Sequence, residues 1–114
     1  MSLPASTLIH TIPPDPPVPP QRPLRVLLVE DDPQWRMGLS ALLGLDGSVA
    51  LVGEAACYDG GLEAYATLRP DVVLLDWRIR GPRTGLDLAE ALIARGHRQD
   101  AILLISGSPA EALP

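Results

Sequence analysis

Residues 72–75, the run VVLL inside PDVVLLDW, constrain the fold more than any other stretch of the sequence. Four aliphatic residues in succession leave no polar face, so a strand built from them is buried on both sides. Such strands sit inside parallel sheets that helices cover on both faces. Pro70 bounds the run on one side and Asp76 on the other. A carboxylate directly off a doubly buried strand is costly unless hydrogen bonds or a cation meet it. Strand carboxyl ends are also where open α/β sheets bind ligands. A polar stop to the strand is the plainer account of Asp76, and position alone does not decide between the two.

The pattern recurs. Residues 25–29 (RVLLV), 49–53 (VALVG) and 101–105 (AILLI) are three further strand candidates. Helical stretches separate them. Pro33 opens the first where a missing N–H costs nothing, with Asp32 as its N-cap. Trp35, Leu39, Leu42 and Leu43 recur at three- and four-residue steps and are expected to face inward. Asp59-Gly60-Gly61 starts the second helix, which carries Leu62, Tyr65, Ala66 and Leu68 and ends before Pro70. The third covers residues 85–95, with Leu86, Ala89, Leu92 and Ile93 as its apolar face and Gly96 as its stop. Strictly alternating strands and helices call for a parallel sheet with right-handed crossovers and helices on both faces.

A chain of 114 residues has room for one domain. Residues 1–23 stand apart from it, because TIPPDPPVPPQRP packs prolines too densely for a helix or a central strand. They are expected to form an extended or disordered leader that acts as a spacer, ahead of a folded unit over residues 24–114. The net charge of −5 comes with no basic stripe, which argues against direct nucleic-acid contact by this segment. No apolar run approaches the ~18 residues of a membrane span, and no signal peptide opens the chain. The single cysteine, Cys57, cannot form an internal disulfide and reads as a small hydrophobe near a helix start. A soluble, cytoplasmic protein is the expectation.

The informative polar residues fall at one edge of the expected sheet. Glu30 and Asp31 end the first strand, Asp76 the third and Ser106 the fourth. Three carboxylates brought together cannot all stay ionised without a cation. Oxygen-only donors suit a hard divalent ion such as Mg²⁺. A hydroxyl at the same edge could donate to a bound phosphoryl group. Metal, nucleophilic carboxylate and hydrogen-bond donors are the parts phosphoryl transfer needs. Helix caps and strand stops are the plainer account, and Asp32 reads as a cap alone, but Glu30 and Asp31 together with Asp76 and Ser106 are harder to explain that way.

From residue 24 to about residue 113 the chain resembles the receiver domain of two-component response regulators. The resemblance lies in RVLLVEDDP, the GEA…DGGLEA segment, PDVVLLDW, TGLDLAEAL and LLISGSP, in order and at matching separations. VEDDPQWRMGLSALL followed by VALVGEA is most similar to receivers that precede a LuxR-type helix-turn-helix domain. The resemblance implies a flavodoxin-like doubly wound sheet of order 2-1-3-4. It also implies that Glu30 and Asp31 hold Mg²⁺ and that Asp76 accepts a phosphoryl group from the phosphohistidine of a sensor kinase. The backbone carbonyl of Arg78 matches the third protein ligand of the metal. Ser106 matches the hydroxyl that reorients toward the phosphoryl group, biasing a surface used for dimerisation or partner binding.

Two departures from the family pattern stand out. The loop after Asp76 reads WRIRGPRTG, which is one residue longer than the family pattern and carries Arg78, Arg80 and Arg83. A solvated loop is the expectation for them, although Arg78 could hang over the site. The family's fifth strand and its lysine have no counterpart here, and all nine Lys and Arg positions are arginine. The domain is therefore expected to be C-terminally incomplete, with residues 101–105 as an unpaired edge through which copies dimerise or swap elements. Three other readings follow. A degenerate or truncated receiver would work as a phosphorylation-independent interaction module. A phosphatase with an aspartate nucleophile usually has a second Asp where Arg78 stands. A nucleotide-binding domain would need a Gly-rich loop after the first strand. The leading reading is a signalling domain that catalyses its own phosphorylation and turns over no metabolite.

Overall fold

The computed structural model describes residues 22–105. The expected leader up to residue 21, and Ser106 beyond the last strand, lie outside the described residues. Four strands follow in chain order: β1 (Leu24–Val29), β2 (Val49–Ala55), β3 (Val72–Asp76) and β4 (Ile102–Ile105). Three helices alternate with them: α1 (Pro33–Gly44), α2 (Tyr58–Leu68) and α3 (Gly85–Ala94). A short 3₁₀ turn, Gln99–Ala101, leads into β4 and takes the place of the strand residue expected at 101. The sheet is parallel throughout, in the order β2-β1-β3-β4. This is the expected doubly wound arrangement.

Strand pleating divides the core. Leu27 and Val29 of β1 and Val73 and Leu75 of β3 turn to one face, where they meet Tyr65 of α2 and Leu88, Ala89 and Leu92 of α3. Val26 and Leu28, equally buried, alternate to the other face. There α1 packs over β1 and β2. A bulge between Val26 and Leu27 breaks the β1–β2 register. At the base of the sheet, the Asp71 carboxylate accepts from the Arg25 amide at 2.9 Å and pairs with Arg22 at 2.9 Å. The last leader residues are thus pinned to the domain. His97 joins three elements: its ring lies edge-on to Tyr65 at 5.2 Å, and it hydrogen-bonds the Tyr65 hydroxyl and the Ala101 carbonyl, each at 3.2 Å. With Nε2 donating to that carbonyl, Nδ1 accepts from the tyrosine.

Helix faces differ from the sequence expectation in all three helices. In α1, Trp35 is 49% exposed and Leu42 64%, and no residue of the helix is fully buried. Leu39 and Leu43 are the half-buried members of the expected set. Periodicity marks an apolar stripe, but the depth of its burial depends on what lies over it. In α3 the inward residues are Gly85, Leu88, Ala89 and Leu92, while Leu86 and Ile93 are exposed. Close contact of Gly85 with β3 rotates the helix by a fraction of a turn. Likewise Ala66 of α2 is exposed, and Gly61 and Tyr65 are the buried pair. β4 pairs with β3 alone among the described residues, with Leu103 and Leu104 largely open. Among the same residues no helix is long and apolar enough to cross a membrane.

Candidate functional site

Parallel strands deliver their last residues to one edge, and the acidic residues of this chain meet there. The Glu30 amide donates to Ala55 O at 2.9 Å, continuing the ladder one residue past β1. The Glu30 carbonyl accepts from Arg36 Nη1 at 2.9 Å, tying the strand end to α1. Asp76 closes β3, and the Arg78 amide donates to its Oδ1 at 3.0 Å. One carboxylate oxygen from each of Glu30, Asp31 and Asp76 lies within 4.8 Å of the others. Glu30 is 2% exposed and Asp76 7%, with Asp31 partly buried beside them.

Electrostatics follow from that crowding. Burial, a hydrogen bond to Asp76 and the charges of Asp76, Asp31 and Asp32 push the Glu30 carboxyl up to about 8. At neutral pH Glu30 therefore holds a proton and donates it toward Asp76. Its Oε2 is buried with no hydrogen-bond partner among the described residues. An orphaned carboxylate oxygen in an all-oxygen cluster is the donor set a hard divalent cation takes up. The residues present fit such an ion.

Asp32 is differently engaged. Its Oδ1 accepts from the amides of Gln34 at 2.8 Å and Trp35 at 3.4 Å, capping α1. Asp32→Ala is expected to lower stability by about 1 kcal/mol, the usual loss at an N-cap, while divalent-cation binding is retained. Chemical denaturation and cation titration check both halves. Cys57 has a comparable place on α2: its Sγ accepts from the Gly60 amide at 3.4 Å. A thiol cap was not legible as such, because the sequence signal for an N-cap is a side-chain oxygen that accepts from the helix amides.

The loop after β3 arranges its arginines individually. The Arg78 guanidinium lies over the Trp77 ring at 5.6 Å, and that of Arg83 over Tyr58 at 5.0 Å. Arg80 reaches the acidic cluster, with Nε 3.5 Å from Asp31 Oδ2. This contact was not expected, and neither was the hold of Arg36 on Glu30. Both depend on how far a side chain reaches across space, which no local spacing encodes. Of the residues singled out in the sequence, Glu30, Asp31 and Asp76 come together and the Arg78 backbone adjoins them. Ser106 lies outside the described residues.

Comparison with known proteins agrees with this geometry. The family model described as "Response regulator receiver domain" matches residues 26–113. The nitrate/nitrite response regulator protein NarL of Escherichia coli is 35% identical over 72 residues, covering 63% of this chain and 33% of that protein. The chain thus spans about a third of that relative's length. Among solved structures, the signal receiver domain of the response regulator NarL from Mycobacterium tuberculosis has a TM-score of 0.70 at 36% identity, over 81% of this chain and 73% of that one. A two-component response regulator of the LuxR family from Aurantimonas sp. gives a TM-score of 0.67 at 26% identity, over 79% and 63%. With the matched model spanning most of the chain and the sheet order and acidic edge both in place, the protein belongs to the response regulator receiver domain family.

Proposed function

We propose that this domain receives a phosphoryl group from a sensor histidine kinase onto Asp76 and uses it to switch an output surface, in the service of transcription regulation. The observation that carries this reading is the position of Asp76: buried, at the end of a central strand, and clustered with Glu30 and Asp31. In the reaction an Asp76 oxygen attacks phosphorus as the bond to the kinase's imidazole nitrogen breaks, leaving an acyl phosphate on the protein and a neutral histidine on the kinase. Glu30, Asp31, Asp76 and the carbonyl of Arg78 would hold Mg²⁺. When bound, that ion supplies positive charge against the repulsion between carboxylate and incoming phosphate.

The protein's own groups do the rest. Glu30 would release its proton to solvent on cation binding, freeing the Asp76 carboxylate from that hydrogen bond. The Arg78 amide orients the Asp76 carboxylate through Oδ1. Ser106 is assigned the hydroxyl that turns toward the phosphoryl group, after which the altered surface favours a different partner. We assign pairing between copies to β4, whose Leu103 and Leu104 are 53% and 46% exposed. Contact with DNA belongs to an output domain rather than to this acidic segment. A reducing cytoplasm suits the single thiol.

The alternative reading is a phosphorylation-independent interaction module. Intact mass measurement after incubation with acetyl phosphate and Mg²⁺ separates the two. One phosphate adduct on the native protein, and none on Asp76→Asn, is the expected result. A folded native protein that takes no adduct would favour the second reading.

A further inference from the structure

Three arginines stand in the loop after β3, and two of them rest on aromatic rings. Arg80 does something else. Its side chain is 82% exposed, yet it extends back to Asp31, whose own side chain is 16% exposed. The pair therefore joins a solvated cation to a partly dried carboxylate. The Arg80 backbone is fixed for this task, since a parallel bridge ties it to Cys57 at the start of α2. Asp31 has no comparable claim on it from the capping network, which Asp32 satisfies.

We propose that Arg80 is a built-in counter-ion of the acidic cluster, competing with the divalent cation for Asp31 and so raising the cation concentration at which the site loads. The inference rests on the reading above, in which Asp31 is a cation ligand. A guanidinium 3.5 Å from a carboxylate oxygen both offsets the negative charge that draws an incoming ion to Asp31 and repels that ion directly. Loading therefore requires the Arg80 side chain to withdraw. High exposure lets it do so by rotamer change, with the bridge to Cys57 left in place. Without the ion, the same contact relieves part of the repulsion among the three carboxylates.

Calorimetric titration of the whole chain with MgCl₂ at low ionic strength tests this, using the native protein, Arg80→Ala, Arg80→Lys and Asp31→Asn. Arg80→Ala is expected to bind Mg²⁺ about two- to five-fold more tightly, the range an exposed ion pair supports. Arg80→Lys, which keeps the charge, should stay close to the native affinity. Added NaCl should shrink the difference between Arg80→Ala and native. A merely structural arginine would give neither the tightening nor its salt dependence. Equal or weaker binding by Arg80→Ala, with binding lost in Asp31→Asn, overturns the inference and leaves the cation site standing. Absence of binding by the native protein, or undiminished binding by Asp31→Asn, overturns both. Melting of each variant in chelator confirms that it is folded.

Discussion

Replacing Gly85 by alanine is expected to destabilise the domain by about 3 kcal/mol, the upper part of the range for overpacking a well-filled site. Helix α3 begins directly against the chain that leaves β3: the Gly85 amide donates to Trp77 O at 2.9 Å. A methyl group at this position would run into the carbonyl oxygen of Asp76, and would sit 2.5 Å from Trp77 Cα and 2.7 Å from Leu75 Cδ1. Two of these neighbours are backbone, so no rotamer change relieves the clash. The helix must lift, and Leu88 and Leu92, both fully buried, lift with it. Because the displaced backbone also carries Asp76, cation binding is expected to weaken in the fraction that still folds. Urea unfolding gives the first effect and calorimetry the second. Gly38 offers the contrast, since no atom lies within 4 Å of an added methyl there. Gly38→Ala, within α1, should be neutral or slightly stabilising.

The second large effect is on pH dependence. Without a divalent ion, the protein is expected to lose stability as pH rises from about 5 to about 8. The Glu30 carboxyl is raised from 4.5 to about 8 in the folded state. Between those values the native state keeps a proton that the unfolded chain has released. Folding is then favoured by acid, and the benefit is complete below 4.5 and gone once pH passes the folded value. For one group the slope cannot exceed about 1.4 kcal/mol per pH unit. Asp71 and Asp46, both held below the usual carboxylate range by hydrogen bonds, act at more acidic pH and with the opposite sign. Glu30→Gln should flatten the profile and be more stable than native at pH 8 in chelator. Cation binding near neutral pH should release a proton from Glu30, visible as a buffer-dependent binding enthalpy. A metal-free stability that rises steadily from pH 5 to 8 would contradict this account of the cluster.

Much of this was legible in the sequence, for reasons that can be located. β3 has the bounds its aliphatic run and flanking residues imply, Val72–Asp76. The other strands were found by the same signal, with shifts of one or two residues at their ends. Parallel pairing follows from alternation with helices, and parallel pairing places Glu30, Asp31 and Asp76 at one edge. The helix faces were less legible. The stripe read on α3 (Leu86, Ala89, Leu92, Ile93) and the one the structure buries (Gly85, Leu88, Ala89, Leu92) share Ala89 and Leu92 and differ in phase. The close approach of Gly85 to β3, a tertiary contact, selects the stripe containing Leu88. On α1 the stripe was read, but its cover was not, and Trp35 stays half open. Least legible were the interactions that give the cluster its chemistry. The proton on Glu30 depends on burial and on distances among three carboxylates, and the Arg80–Asp31 pair joins residues on different loops.

Borohydride reduction of the phosphorylated protein, followed by peptide mass spectrometry, addresses the central assignment most directly. Reduction converts an aspartyl phosphate into homoserine and so marks the residue that carried it. The account predicts homoserine at position 76 in the native protein after treatment with acetyl phosphate and Mg²⁺. Homoserine at another aspartate, or a stable phosphate on a hydroxyl with position 76 unchanged, would contradict it.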